Sequence, residues 1–229
     1  MIWLDSLKER KIIDYKDLPL HLEMKEKELE QVSYPIMEYF YTLQGEGAYA
    51  GHASYFIRLA GCDVGCVWCD VKDSWDAKLH PQKTVAELVA AAKEYPSKIV
   101  VITGGEPSMY DLTALTHGLK EAGFRTHIET SAAHPLTGIL DWVTLSPKKF
   151  KAPLEENLHL ADELKIVIFN RSDFDWAEKY ADLVSPRCKL YLQVEWDKKE
   201  QMTPLVLNYI MQHPKWQLSL QTHKYLNIP

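Results

Sequence analysis

Three of the chain's four cysteines stand within eight residues, as Cys62, Cys66 and Cys69 in a C-x-x-x-C-x-x-C loop that also holds Gly61 and Gly65. Core packing gives no reason for such crowding. Three thiolates on one loop can each take one iron of a cubane 4Fe-4S cluster, which leaves the fourth iron open to a small molecule. The glycines give the loop the backbone freedom to wrap such a body. The other chemistry this spacing allows is a zinc site. Zinc ordinarily takes four protein ligands in two pairs. No second pair is present, so Cys188 would have to serve as a remote fourth ligand, although beside Pro186 and just before an apolar run it reads more simply as a free cysteine.

The elements that must carry this loop are legible as alternating patterns. Apolar, β-branched and aromatic runs at 53–60, 98–103, 125–129, 141–145, 163–169, 189–194 and 216–220 predict strands. Thr84 and Glu87 have capping-box spacing ahead of the good helix formers of 86–94. Further helices are expected over 111–122, ending at Gly123, over 173–180 and over 203–213. Strand–helix alternation implies a parallel α/β sheet with helices outside. No glycine-rich dinucleotide fingerprint follows the first strand, so the expected fold is a partial (β/α) TIM-like barrel of about six or seven strands. Chemistry in such barrels gathers at the C-terminal ends of the strands. Arg58 and the cysteines follow the first expected strand, Gly104-Gly105-Glu106 the second, Glu129-Thr130-Ser131 the third and Ser146-Pro147-Lys148 the fourth.

Composition sets the outer limits. The 229 residues are 46% hydrophobic and 25% charged, as expected of one soluble domain. No apolar run approaches the ~20 residues of a membrane span. The first residues mix acids and bases, unlike a secretory or transit segment, so a cytoplasmic location is expected. A net charge of −6 argues against a general nucleic-acid binder, and the small cluster of Lys148, Lys149 and Lys151 does not reverse it. The charge-rich residues 1–33 read as an N-terminal extension, with an amphipathic helix over 20–31, ahead of a core domain over 34–229.

The cysteine triplet resembles that of the radical S-adenosylmethionine (radical SAM) superfamily. Other segments resemble one branch of it, the 7-carboxy-7-deazaguanine synthases of queuosine and 7-deazapurine biosynthesis. They are Phe40-Tyr41-Thr42-Leu43-Gln44-Gly45-Glu46-Gly47, Thr103-Gly104-Gly105-Glu106-Pro107, Glu129-Thr130-Ser131, Ser146-Pro147-Lys148, Glu163-Leu164-Lys165, Leu192-Gln193 and Ser219-Leu220-Gln221-Thr222-His223-Lys224. The similarity runs from about residue 36 to the last, and the Leu-Gln-Gly-Glu-Gly and Gln-Thr-His-Lys segments are far more specific than the triplet.

The resemblance implies a carbon–nitrogen lyase with a radical SAM barrel, a 4Fe-4S cluster on Cys62, Cys66 and Cys69, and S-adenosylmethionine. The implied reaction turns 6-carboxy-5,6,7,8-tetrahydropterin into 7-carboxy-7-deazaguanine by a radical ring contraction with loss of ammonia. It implies cofactor contacts at Trp68, Asp70, Gly104, Gly105, Glu106, Ser146, Pro147, Lys148, Gln193, Val194, Glu195 and Trp196. Val194 and Glu195 depart from the commoner Gln-Pro. Substrate contacts are implied at Leu43, Gln44, Gly45, Glu46, Arg58, Thr103 and Pro229, the last through a terminal carboxylate. Arg58 suits the substrate carboxylate because a guanidinium grips it with two prongs. Glu129 and His223 are the expected proton carriers. The family further implies a homodimer, an electron donor such as flavodoxin or ferredoxin, and magnesium.

Magnesium is where this chain departs. Many relatives have Thr or Ser two residues after the last cysteine; here Val71 offers no oxygen to a hard cation. Weakened or lost magnesium dependence is expected, with the Lys72 ammonium as a candidate replacement charge. Two other readings share the triplet. One is an activating enzyme for a glycyl-radical partner, which lacks the Leu-Gln-Gly-Glu-Gly segment; the other is a non-catalytic zinc-binding module.

Overall fold

Strand β2 (Ala53–Leu59) buries every residue except Ala53 and part of Arg58, and the rest of the sheet grows from its two edges. The computed structural model describes residues 31–229; the helix expected over 20–31 and almost all of the expected extension lie outside the described residues. On one edge of β2 lies β1 (Ser33–Leu43), antiparallel, which in turn pairs antiparallel with the short β3 (Gln82–Thr84). On the other edge β4 (Ile99–Gly104), β5 (Arg125–Thr130), β6 (Trp142–Leu145), β7 (Glu163–Ile168), β8 (Lys189–Val194) and β9 (Trp216–Ser219) follow in chain order, all parallel. The sheet order is β3-β1-β2-β4-β5-β6-β7-β8-β9, and among the described residues β9 pairs with β8 alone. The wall is therefore an open, partial barrel of seven parallel strands extended by two antiparallel ones.

The seven parallel strands are the seven expected, with ends shifted by at most a residue. Strands β1 and β3 were not expected. Pro35 interrupts the β1 pattern near its start, and most of its later residues are only partly buried, so neither strand periodicity nor an apolar run marks it.

Helices α1 (Val85–Lys93) and α2 (Thr113–Glu121) cover β4 and β5. The capping box is present: Glu87 N–H donates to Thr84 Oγ1 at 3.2 Å and Thr84 N–H to Glu87 Oε2 at 2.8 Å. Gly123 lies just past α2 at φ 83°, where a side chain would be strained. The remaining helices are α3 (Glu155–Leu158), α4 (Ser172–Ala181), α5 (Lys199–Gln212) and α6 (Thr222–Leu226). The start of α5 corrects the sequence expectation. The helix expected from 203 begins at Lys199 and carries Pro204 inside, forgoing one backbone bond.

Two apolar clusters hold the layers together. One joins Leu59, Ile57, Leu88, Ile102, Leu115 and Leu119 under α1 and α2; the other joins Leu164, Ile166, Leu192, Val206, Trp216 and Cys188 under α4 and α5. Truncating such a leucine to alanine costs about 2–5 kcal/mol. The lumen is filled differently, by the segment after β1. Gly47 N–H donates to Ser219 Oγ at 3.0 Å, Ala48 N–H to Glu163 Oε2 at 3.0 Å, and Tyr49 packs its ring edgewise on His127 and Trp142. Gly47 sits at φ 62°, and a Cβ there would meet Glu163 Oε1 at 1.9 Å, so only glycine fits.

Candidate active site

The end of β2 turns sharply into the cysteine loop. Gly61, at φ 100°, hands its N–H to Ser74 O at 2.6 Å, and Cys62 N–H donates to Trp75 O at 3.2 Å. Gly65, at φ 72°, makes the second turn, and Cys69 N–H closes it on Cys66 O at 3.1 Å. Cys62, Cys66 and Cys69 line one cavity at the C-terminal ends of the strands. Burial raises the thiol of Cys62 and pushes that of Cys66 up to about 11. Cys188 is elsewhere, buried at the opposite end of β8 with its thiol pushed up to about 12 by burial. Three soft ligands with no fourth cysteine fit a cubane cluster with one open iron and do not fit a closed zinc site. Among the described residues no group of His, Cys, Asp and Glu closes on a single ion.

Behind the cysteines, β4 ends on Gly104 and Gly105. A Cβ on Gly104 would meet Leu59 O at 2.1 Å, and one on Gly105 would meet Gly61 O at 2.2 Å. These glycines therefore let β4 press against the root of the cysteine loop, with Gly105 N–H on Leu59 O at 2.9 Å and Glu106 N–H on Gly61 O at 2.8 Å. Glu106 is 1% exposed, and five donors meet its carboxyl group. Ser108 N–H, Ser108 O–H and Thr130 O–H donate to Oε1; Ser131 N–H and Ser131 O–H donate to Oε2. It ties the end of β4 to the end of β5.

The other side of the cavity is a charged network. Lys165, on the inward face of β7 and 5% exposed, donates to Glu46 and approaches Glu129 Oε2 at 3.5 Å. Gln44 Nε2 donates to Glu129 Oε1 at 2.7 Å, and Gln221 Nε2 donates to Glu46 Oε1 at 3.0 Å. Burial alone would raise Glu46, but the Lys165 ammonium prevails and holds its carboxyl at about 2. Burial would likewise lower Lys165, and the carboxylates of Glu129 and Glu46 raise it instead. His223 lies over Gly45, where a Cβ would meet its Nδ1 at 2.1 Å, and burial lowers its imidazole.

Every residue expected in the site except Pro147 lines this cavity: Leu43, Gln44, Gly45, Glu46, Arg58, Trp68, Asp70, Thr103, Gly104, Gly105, Glu106, Glu129, Ser146, Lys148, Gln193, Val194, Glu195, Trp196, His223 and Pro229, with the three cysteines. Pro147 turns its carbonyl to Trp176 Nε1 at 3.3 Å. Lys148 donates to Ser146 O at 2.8 Å and stands 5.7 Å over the Trp68 ring; burial lowers its ammonium. Arg58 uses Nε on Glu38 Oε1 at 2.7 Å. Lys165 and Gln221 belong to the cavity as well, and their motifs were visible although no role had been attached to them. The Lys72 expectation is corrected: Lys72 is exposed in the turn Lys72–Ser74 and outside the cavity wall, whereas Lys224 of α6 pairs with Asp70 Oδ2 at 2.7 Å. Asp63 anchors the cysteine loop from outside, through Lys151 at 2.6 Å and His134 at 3.0 Å.

Comparison with known proteins agrees with this geometry. The family model described as the radical SAM superfamily matches residues 56–165. The 7-carboxy-7-deazaguanine synthase of Flavobacterium psychrophilum is 55% identical over 195 residues, 85% of this chain and 92% of that one. Its counterpart in Synechocystis is 54% identical over 201 residues, 88% of this chain and 96% of the other. The crystal structure of QueE from Escherichia coli superposes with a TM-score of 0.74 at 32% identity, covering 84% of this chain and 95% of that one. A partial barrel with three thiols at its mouth and these relatives define a radical SAM enzyme. Within that class the chain belongs to the 7-carboxy-7-deazaguanine synthase family.

Proposed function

We propose that this chain forms 7-carboxy-7-deazaguanine from 6-carboxy-5,6,7,8-tetrahydropterin, releasing ammonia, in the cavity between the cysteine loop and the Lys165 network. The juxtaposition of these two groups in one cavity carries the reading. A cluster on Cys62, Cys66 and Cys69, with S-adenosylmethionine, supplies the electron and the radical that start the ring contraction.

The protein's own residues bind, orient and move protons. Arg58 spends Nε on Glu38, which leaves the outer edge of its guanidinium for the substrate carboxylate. Gln44, Glu46 and Gln221 present amide and carboxyl groups suited to the donor and acceptor edge of an aminopterin, with Leu43, Gly45, Thr103 and Pro229 completing that wall. Lys165 keeps Glu46 ionised and so fixed as an acceptor. Glu129, held between Gln44 and Lys165, and His223, whose imidazole burial lowers, hold and move protons during rearrangement and loss of the amino group. Gly104, Gly105, Glu106, Ser146, Lys148 and residues 193–196, with Trp68 and Asp70, form the end of the cavity that takes S-adenosylmethionine.

The surroundings of Val71 do not fit a magnesium ion. Val71 brings no oxygen, and the nearby Asp70 carboxylate is paired with Lys224. On this reading magnesium dependence is weakened or lost. A cytoplasmic homodimer served by a flavodoxin- or ferredoxin-type electron donor, with residues 34–229 as the catalytic domain, is the setting the family resemblance supports. The net charge of −6 supports no role for nucleic acid, and no helix among the described residues is long and apolar enough to cross a membrane.

An anaerobic assay of cluster-reconstituted protein with reductant, S-adenosylmethionine and 6-carboxy-5,6,7,8-tetrahydropterin, read by mass spectrometry, tests the reading. 7-Carboxy-7-deazaguanine is the expected product. Formation of 5′-deoxyadenosine without it would overturn the substrate assignment.

A further inference from the structure

Asp63 follows Cys62 directly and, unlike its neighbours Cys62 and Val64, does not line the cavity. Two separate segments reach its carboxylate from outside. Lys151 Nζ donates to Oδ2 at 2.6 Å, and His134 Nε2 stands 3.1 Å from Oδ1 and 3.0 Å from Oδ2. Both partners are placed in advance. The chain after β5 bends at Ala132, whose φ of 57° is one that side chains rarely adopt. Leu154 N–H and Asn157 Nδ2 each hold the Ala132 carbonyl at 2.9 Å, and the same Asn157 amide holds His134 O at 2.8 Å. Asn157, on α3, is buried. Lys151 is set by a short antiparallel bridge to Lys148 after β6.

The Asp63, Lys151 and His134 side chains are 38%, 35% and 28% exposed. Ion pairs this exposed add little to global stability, so their effect is local, on the turn they hold. That turn has little other support. Gly65 is exposed, and a Cβ there would meet nothing within 4 Å among the described residues. Yet the turn brings the N–H groups of Val64 and Gly65 onto the Cys62 sulfur. Hydrogen bonds to the thiolates of an iron–sulfur cluster help to set its reduction potential, and they favour the reduced, more negative state. We propose that Asp63, Lys151 and His134 are positioning residues for the cluster, which fix the turn over residues 63–65 so that its N–H groups bear on Cys62, and thereby set how firmly the cluster is kept and how readily it is reduced. The inference rests on the three cysteines holding a cluster.

Redox titration followed by electron paramagnetic resonance, and release of iron to a ferrous chelator, test it on the reconstituted full chain without turnover. Asp63→Ala combined with Lys151→Met removes one charge of each sign. Net charge near the cluster is kept, and only the hold on the turn is lost. Iron should leave this double variant about 10–100-fold faster than the parent, the scale for groups standing behind metal ligands. Its reduction potential should fall below the parent's. A release rate equal to the parent's, or a potential that stays or rises, overturns the inference alone. His134→Gln and His134→Leu decide the matter whether or not the double variant folds. The glutamine still donates to the carboxylate and should match the parent; the leucine should lose iron faster and sit at a lower potential. Identical behaviour of these two variants overturns the inference. A reconstituted parent that holds no iron and sulfide overturns the reading of the cysteine loop, and the inference with it.

Discussion

Lys165 and Glu46 are 119 residues apart in sequence and form one ion pair in the middle of the cavity, with Glu129 on the other side of the same ammonium. Two carboxylates and one buried lysine make a unit in which no member can be removed alone. Lys165→Met should cost on the order of 3–5 kcal/mol in urea unfolding, because it strands buried negative charge. Adding Glu46→Gln should restore part of the stability but none of the substrate binding. The depressed Glu46 carboxyl stabilises the fold above the ordinary glutamate range, and that contribution is lost as pH falls toward about 2. The raised Lys165 contributes below the ordinary lysine range and is lost only above it. The pair therefore holds across neutral pH, and a loss of its contribution between pH 6 and 8 would contradict this account.

Glu106 faces five donors, so its substitution is read best by changing charge without changing size. Glu106→Gln places amide hydrogens against hydroxyl and backbone donors and should cost roughly 1–3 kcal/mol. Cluster loading should fall as well, because the end of β4 is tied through Gly61 to the cysteine loop. Unfolding curves and iron content measured together check both; unchanged stability would remove Glu106 from its role as a clamp.

Chelation addresses the metal question directly. Turnover after EDTA treatment should be little changed, since the Lys224 ammonium already stands on Asp70. Val71→Thr combined with Lys224→Met restores a hydroxyl and frees the carboxylate, and this double variant should respond to added magnesium. A parent enzyme that stops on chelation would show that the ion binds through groups other than these.

His127 offers a pH test away from the chemistry. Burial, reinforced by Arg125 and by His52 and opposed by Asp141, lowers its imidazole from 6.5 to about 4. A depressed base is protonated more readily in the unfolded chain, so its contribution is full above the unfolded value and declines as pH drops from about 6.5 to about 4. His127→Phe, which keeps a ring beside Tyr49 and Trp142, should flatten that part of the melting-temperature profile. A profile identical to the parent's would mean that His127 is not buried as a neutral ring.

Most of the parallel strands were legible as buried, β-branched or apolar runs bounded by polar turns, with β5 carried by Thr126, Ile128 and Thr130. The site was legible because its motifs sit at the ends of those runs. Strand β1 was hidden by Pro35 and by its half-exposed faces. The role of Lys165 was hidden for another reason. Its motif was visible, but its importance comes from Glu46 and Glu129, and nothing local in Glu163-Leu164-Lys165 announces partners on other strands. Lys224 was missed in the same way: Lys72 is next to Val71 in sequence, while α6 brings Lys224 from far along the chain onto Asp70.

Gly45 O accepts from both Thr222 N–H, at 3.0 Å, and Thr222 O–H, at 2.9 Å, across 177 residues. On the ribosome this means that the wall receiving the pterin cannot assemble as it emerges. The loop after β1 can meet His127, Glu129 and Trp142 of β5 and β6 first. Its remaining partners arrive only when β7 brings Glu163 and Lys165 and when β9 and α6 have left the exit tunnel. Nascent chains halted before residue 222 would carry the cysteine loop and yet lack the floor beneath the substrate. Competence for substrate thus waits on residue 222, well after the thiols able to capture iron have been made.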